Sequence, residues 1–146
     1  MNNLSLKNVS KVYQNGGPET VAINDVTLTF PEKGMVFILG KSGSGKSTLL
    51  NVISGMDKVT SGEIRLGGRL LGVEIDYDFF RNKTAGFIFQ EINLNRSLNV
   101  LQNVLFSDII QNRRTDKKRA LRALERVGMG KYSHRRVNRL SGGEAQ

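Results

Sequence analysis

The segment from Gly40 to Ser47 constrains this chain more than any other part of its sequence. It reads GKSGSGKS and matches the pattern G-x-x-x-x-G-K-[ST], with an apolar run (35–39) before it and a helical pattern (46–54) after it. In such a loop, glycines let the backbone curl so that several amide N–H groups point at one anion. The following helix adds the partial positive charge of its amino end. The segment therefore predicts a loop that binds a polyphosphate.

The same pattern predicts a role for each polar side chain of the loop. Lys46 is expected to reach the β- and γ-phosphates, and the Ser47 hydroxyl to bind Mg²⁺. A glycine–serine linker has a similar composition, but linkers are not flanked by apolar segments of these lengths. We therefore expect nucleoside triphosphate binding, with the cofactor contacts supplied by Gly40, Lys41, Ser42, Gly43, Ser44, Gly45, Lys46, Ser47 and Thr48.

The hydrophobic pattern predicts an α/β fold whose domain has three parts. Residues 1–34 alternate apolar and polar side chains, which is typical of antiparallel β structure. Residues 35–90 hold the phosphate loop and a short hairpin, and residues 91–146 read as a helical subdomain. The expected fold is a P-loop NTPase core with an incomplete parallel sheet, an antiparallel β subdomain and a helical subdomain.

Within these parts, the continuous apolar run at residues 35–39 is expected to form a central parallel strand, and residues 84–89 a further apolar strand. The turn residues Gly67 and Gly68 predict the hairpin, and an Asn15–Pro18 cluster predicts a turn between the first two strands. Asn99 is the expected N-cap of the first of two amphipathic helices.

Composition excludes several other classes of protein. The chain has 146 residues, 38% of them hydrophobic, with no cysteine and one histidine. It therefore has no means to form a disulfide scaffold, a cysteine-ligated zinc site or a thiol nucleophile. It also lacks the apolar stretch of about 18 residues that a membrane-spanning helix needs, and we expect neither a signal peptide nor a membrane span.

The charge is strongly positive and unevenly distributed. The net charge is +9, and 11 of the 22 basic residues lie between Arg113 and Arg139. This stretch could contact nucleic acid, anionic lipid or a partner, or it could be a solvated helix face. We favour the solvated face because exposed lysine and arginine are ordinary on helix surfaces.

A second motif connects the chain to a known family. The segment Leu140-Ser141-Gly142-Gly143-Glu144 resembles the signature sequence of the ATPase subunit of ATP-binding cassette (ABC) transporters, and the resemblance runs from Leu4 to the last residue. A Ser-Gly-Gly turn alone more often just caps a helix, but here it follows a phosphate loop and a helical segment. The resemblance implies that Ser141, Gly142, Gly143 and Glu144 contact the nucleotide held by an opposite subunit.

Two more residues fit the family. Gln90 stands where the family has a glutamine that touches Mg²⁺ or the attacking water, although a lone glutamine there is otherwise an ordinary surface residue. Tyr13 matches the aromatic that stacks on adenine, and its alternative is a core or edge-strand tyrosine. The segments Gly55–Asp57 and Thr60–Ile64 further resemble the branch that serves lipoprotein release, macrolide export and antimicrobial-peptide resistance.

Hydrolysis in this family needs an apolar strand that ends in Asp-Glu, and then a switch histidine. Residues 73–76 are the nearest candidate, but their acids interrupt the apolar run and precede Gln90. His134 precedes the signature, whereas the switch histidine follows it, so we expect His134 at the surface. We therefore expect an amino-terminal piece of an ATPase, with no catalytic residues of its own, negligible hydrolysis and exposed apolar surface around residues 35–39.

The resemblance implies ATP and Mg²⁺ as cofactors. It also implies a second ATPase subunit, most simply a second copy, and a membrane permease as partners, with the chain peripheral on the cytoplasmic face of the membrane. The alternative is a soluble ABC-type ATPase that acts on nucleic acid or the ribosome, suggested by the +9 charge. Those relatives usually carry two cassettes or a long insertion, and neither is visible in this sequence. A nucleic-acid partner is therefore the less favoured hypothesis. The hypothesis of a P-loop kinase or GTPase does not explain why residues 140–144 match the signature sequence.

Overall fold

The computed structural model describes residues 3–14, 16–111 and 113–146, which fall into two compact units, residues 1–86 and 87–146. Asn15, at the start of the expected turn, lies outside the described residues. The elements of the first unit are β1 (Leu4–Tyr13), β2 (Thr20–Thr29), α1 (Lys46–Ser54), β3 (Ser61–Leu66), β4 (Arg69–Leu70) and α2 (Tyr77–Lys83). Those of the second unit are α3 (Val100–Ile110), α4 (Lys117–Arg126), two 3₁₀ turns (Gly130–Tyr132 and Val137–Arg139) and α5 (Gly142–Ala145).

The first unit is built on a four-stranded antiparallel sheet in the order β2-β1-β3-β4. β1 lies in the middle, where Leu6 pairs with Leu28 of β2 on one side and Ile64 of β3 on the other. The expected antiparallel strands and the hairpin at residues 67–68 are confirmed. The sheet packs α1 and α2 around a core formed by Leu6, Val9, Ile23, Val52, Ile53, Ile64, Leu71, Ile75 and Phe80.

α1 begins and ends where its sequence predicts. Gly55 ends it in the left-handed region, at φ +69°, and a Cβ there would collide with the ring of Tyr77. Arg81 of α2 donates from Nη1 to the carbonyl oxygens of Ser54 (3.1 Å) and Gly55 (3.0 Å). The end of α1 is therefore held by α2.

α2 itself was not predicted. Its N-cap is Asp76, whose carboxylate accepts from the backbone N–H groups of Asp78 (2.7 Å) and Phe79 (3.1 Å), and Phe80 is buried against the core. The signal was present in the sequence, because aspartate is a preferred N-cap and the segment after it has an acid in its first turn and bases in its last. Asp76 is therefore a helix cap in this structure.

The predictions of a parallel strand at residues 35–39 and of a further apolar strand at residues 84–89 are wrong in this structure. Residues 35–40 and 85–89 have no strand ladder, and every ladder between strands of the described residues is antiparallel. Met35, Phe37 and Leu39 are 77%, 73% and 86% exposed, as expected for an apolar run without a neighbouring strand. The sequence pattern reports apolar character, whereas a parallel strand also needs a partner to pair with.

The second unit is helical, as predicted. α3 starts at the N-cap Asn99 in a capping box with Gln102, and Val100, Leu101, Ala120 and Leu124 form the core between α3 and α4. Arg119 of α4 pairs with Asp108 of α3, which is buried. This hydrogen bond with Arg119 is the main reason that the pKa of Asp108 is lowered.

Among the described residues, none of the helices is both long and apolar enough to cross a lipid bilayer.

Candidate nucleotide-binding site

Glycines give the predicted phosphate loop its shape. Gly43 and Gly45 lie in the left-handed region at φ +77° and +85°. Between them the loop turns, with Ser44 N–H donating to the carbonyl oxygen of Lys41 (3.3 Å). A Cβ on Gly45 would collide with the carbonyl oxygen of Ala22 in β2. Gly45 is therefore required both by its backbone angle and by the strand behind it.

The amino end of α1 is open. Its N-cap is Gly45, no side chain caps it, and its first turn contains no acidic residue. The first hydrogen bond of the helix runs from Leu49 N–H to the Gly45 carbonyl (2.8 Å), so the preceding amides have no partner within the helix. These amides, together with the partial positive charge of the helix end, suit an anion.

Lys46 lies across the loop that it follows. Its Nζ donates to the carbonyl oxygens of Gly40 (2.9 Å) and Lys41 (2.6 Å) and lies 3.4 Å from Ser44 Oγ. The ammonium group is thus held over the loop by backbone oxygens, where it can exchange them for phosphate oxygens. Ser42 and Ser47 are exposed, and Thr48 is half-buried. The structure therefore brings Lys46 into contact with Gly40, Lys41 and Ser44 of the predicted loop.

Tyr13 lies in the same unit, in the last position of β1, and is half-buried. Its hydroxyl donates to Oδ2 of Asp57 (2.8 Å), and Oδ1 of Asp57 accepts from Lys11 Nζ (2.6 Å). Lys11 and then Tyr13 are the main reasons that the pKa of Asp57 is lowered. The sequence interpretation missed this cluster, because Asp57 follows Lys11 and Tyr13 by more than 40 residues.

The remaining predicted site residues lie in the second unit. Gln90 is exposed and follows a segment with no strand ladder, so the expectation that it ends a strand is wrong for the same reason as the strand itself. The carbonyl oxygen of Phe89, in the peptide that joins it to Gln90, accepts a hydrogen bond from Gln146 Nε2 (3.0 Å). His134 is exposed, as expected.

The predicted signature segment forms a helix start, as the Ser-Gly-Gly sequence indicates. Ser141 is the N-cap of α5, and its hydroxyl accepts from Glu144 N–H (3.3 Å), while the Glu144 carboxylate accepts from Ser141 N–H (2.8 Å). Gly142 and Gly143 have ordinary helical backbone, and a Cβ on either would meet no atom within 4 Å. The fold of this unit does not itself require glycine at these two positions.

Comparison with known proteins supplies three findings. A family model described as ABC transporter matches residues 23–146. An uncharacterized ABC transporter ATP-binding protein of Methanocaldococcus jannaschii is 38% identical over 98% of this chain, which covers 66% of that relative. The lipoprotein-releasing system ATP-binding protein LolD of Pseudoalteromonas translucida is 36% identical over 98% of this chain, which covers 63% of it.

The solved structures agree with these sequence relatives. A dimeric ATP-binding cassette in a post-hydrolysis state, bound to ADP and Pi, superimposes with a TM-score of 0.84 at 35% identity, over 97% of this chain and 65% of that one. The chain therefore spans about two thirds of the length of these relatives. It spans 22% of a longer one, the macrolide export ATP-binding/permease protein MacB of Chlorobaculum tepidum, at 37% identity.

Proposed function

The chain belongs to the ABC transporter family, and we propose that it binds ATP as the nucleotide-binding part of a transporter that couples ATP binding and hydrolysis to membrane transport. Its fold is that of the ABC ATPase cassette, as the superposition at 35% identity establishes. One observation supports ATP binding above the others. The glycine-capped amino end of α1 has no side chain of its own in the anion position, and the Lys46 ammonium lies across the loop in front of it.

Each site residue then has a proposed role. The backbone amides from Gly40 to Thr48 and the Lys46 ammonium bind the phosphates, and the ring of Tyr13 stacks on adenine. The exposed Ser47 hydroxyl at the first turn of α1 suits Mg²⁺, which prefers oxygen ligands. Gln90 is proposed as a further Mg²⁺ ligand because of the family resemblance. When bound, Mg²⁺ would neutralise charge on the phosphate oxygens.

We also propose the partners from the family. A second copy of the cassette would complete each nucleotide site with Ser141, Gly142, Gly143 and Glu144. The dimeric state of the cassette neighbour and the lack of any internal need for glycine at residues 142 and 143 support this assembly. A permease would hold the pair on the cytoplasmic face of the membrane, as the transporter names of the relatives suggest.

The nucleic-acid alternative has less support. The relatives named above are transporter ATP-binding proteins. Within the basic stretch, Arg119 is paired with Asp108, and Lys131 and Arg135 lie over the ring of Tyr132. These three cations are thus committed to contacts within the second unit, which leaves less of the stretch available for a phosphate backbone.

The direct test is Lys46→Ala, measured by calorimetric titration with ATP and Mg²⁺. Loss of a charge-assisted contact to phosphate corresponds to an affinity about 10- to 100-fold weaker. Lys83→Ala is the matched control, because Lys83 is an exposed lysine of the same unit at the end of α2. Equal affinity in the Lys46→Ala variant and the wild type would contradict the proposed site.

A further inference from the structure

The cluster around Tyr13 joins three side chains from two parts of the first unit. The Asp57 carboxylate bridges two donors, with Oδ2 accepting from the Tyr13 hydroxyl (2.8 Å) and Oδ1 from Lys11 Nζ (2.6 Å). The Lys11 and Asp57 side chains are 12% and 29% exposed. Because water has limited access to this pair, its charges are screened less than those of an exposed pair.

The two donors fix different features of the tyrosine ring. The hydroxyl bond to Asp57 fixes the position of the far end of the ring, and therefore the direction of its long axis. Lys11 Nζ lies 4.8 Å from the centroid of the same ring, which is within cation–π distance, and it also donates to the carbonyl oxygen of Lys58 (2.8 Å). A cation therefore lies over one face of the ring, and the opposite face is the one on which a base would stack.

The backbone connects this cluster to the helix of the phosphate loop. Asp57 lies in the turn after α1, and its N–H donates to the carbonyl oxygen of Asn51 (3.2 Å) in the last turn of that helix. The same turn runs beside β1, where Val12 N–H donates to Thr60 Oγ1 (2.9 Å) and Thr60 N–H to the Ser10 carbonyl (2.9 Å). Asp57 is thus anchored to α1 by its backbone and to the tyrosine by its side chain.

We propose that Asp57 is a positioning residue for nucleotide binding, which orients Tyr13 and the Lys11 ammonium so that the tyrosine ring offers one fixed face to adenine. This inference rests on the proposed ATP site and adds a residue to it. Asp57 does not touch the nucleotide. It sets the plane of the ring relative to the carboxyl end of α1, the helix whose amino end faces the phosphates.

The pKa of Asp57 agrees with this arrangement. Its hydrogen bond with Lys11 has the largest effect, followed by that with Tyr13, and both lower the pKa below the ordinary value of 3.8. The carboxylate is therefore charged throughout the neutral range, as a bridge between an ammonium and a phenol requires.

The test compares two ligands, Mg-ATP and inorganic tripolyphosphate with Mg²⁺, by calorimetric titration of the full chain. Tripolyphosphate carries the phosphate groups without a base. Asp57→Asn is expected to weaken ATP affinity about three- to tenfold, the effect of one misplaced hydrogen-bonded contact, and to leave tripolyphosphate affinity unchanged. Glu63→Gln is the control, because it removes the carboxylate of an exposed pair with Arg65 in the same unit, and it should change neither affinity.

A second variant keeps the test independent of how well Asp57→Asn folds. Tyr13→Phe keeps the ring and removes only the hydroxyl, so it should lower the ratio of ATP to tripolyphosphate affinity in the same way. In the double variant, the two losses should be less than additive, because both act through one bond.

Three results would overturn the proposal. One is an unchanged affinity ratio in Asp57→Asn or in Tyr13→Phe. Another is an equal loss of affinity for both ligands in Asp57→Asn, which would indicate a general structural role. The third is an unchanged affinity ratio in Tyr13→Ala, because this substitution removes the ring on which the base is proposed to stack. The phosphate site fails separately, and the inference with it, if Lys46→Ala weakens neither ligand.

Discussion

The helices α1 and α5 both start beside glycines, yet their amino ends are built in opposite ways. α1 has Gly45 as its N-cap, no side-chain cap and no acid in its first turn. α5 has Ser141 as its N-cap and a complete capping box with Glu144, which places a carboxylate in the first turn. The first amino end leaves its anion position free, and the second fills that position with its own side chain.

The difference lies in whether the helix start is capped by the chain itself. The start of α1 has free amide donors, whereas the start of α5 is stabilised by its own side chains without a ligand. At α1, the amide donors meet no competing carboxylate, and Lys46 adds a cation. At α5, a phosphate would have to share the helix start with Glu144, whose charge is favourable there in the absence of another anion. The amino end of α1 therefore has no side chain that competes with an anion at the proposed phosphate site, whereas the amino end of α5 is capped by Ser141 and Glu144.

The largest effect is expected from a methyl group at the N-cap of α1. Gly45→Ala would collide with the Ala22 carbonyl and force a left-handed backbone, so we expect a loss of about 2–3 kcal/mol in the free energy of unfolding and no measurable ATP binding. Gly43→Ala is the matched control, because it has the same backbone class but meets no atom within 4 Å. It should cost about 1 kcal/mol. Chemical denaturation and titration with ATP measure both, and equal losses in the two variants would contradict the role of the β2 contact.

An intermediate effect is expected from making α1 resemble α5. Thr48→Glu places a carboxylate three residues after the N-cap, as Glu144 is placed after Ser141. The helix should gain about 0.3–1 kcal/mol from the favourable charge, while ATP affinity should fall at least about tenfold by charge repulsion. Thr48→Gln, which has nearly the same shape without the charge, should retain most of the affinity. An ATP affinity as high in Thr48→Glu as in Thr48→Gln would show that the amino end of α1 is not where the anion binds.

The smallest effect is expected from removing the capping box at the start of α5. Glu144→Ala removes one half of the capping box, so the backbone amides of Ala145 and Gln146 should exchange with solvent about threefold faster. Glu144→Gln should preserve the slow exchange, because glutamine also serves in a capping box. Hydrogen exchange followed by mass spectrometry or NMR measures the difference, which should be absent for the amides of α1. Unaltered exchange in Glu144→Ala would argue that the box contributes nothing to α5.

The same capping box should depend on pH. The pKa of Glu144 is lowered from 4.5, chiefly because the Ser141 N–H donates to the carboxylate. A lowered folded-state pKa means that the stabilisation is present above 4.5 and is lost as the pH falls through the lower value. The difference between wild type and Glu144→Ala should therefore shrink below pH 4.5, and Glu144→Gln should show no such change.

The sequence predicts those features that depend on neighbouring residues. The bounds of α1 follow from the glycines at its two ends, and the starts of α3 and α5 follow from Asn99 and Ser141, because capping is a contact over three residues. The phosphate loop is predictable for the same reason, since its shape depends on glycines within the motif itself.

Features that depend on contacts between distant parts of the chain could not be predicted from the sequence. The apolar runs at 35–39 and 84–89 predict strands, but a strand exists only where a partner pairs with it, and none does so among the described residues. The bridge from Asp57 to Tyr13 joins residues 44 positions apart. No local pattern in the sequence predicts such a contact, so the hydrogen bond between Asp57 and Tyr13 is visible only in the folded chain.

The contact from Arg81 to the end of α1 has a consequence for the opposite end of that helix. α1 has no basic residue in its own last turn, and Arg81 of α2 supplies a guanidinium to the carbonyl oxygens there. A cation at the carboxyl end and an anion at the amino end are both favourable to the helix dipole. The fold therefore provides the cation itself and leaves the anion to a ligand. If phosphate binds as proposed, α2 contributes to its electrostatic stabilisation from a helix length, about 14 Å, away from the loop.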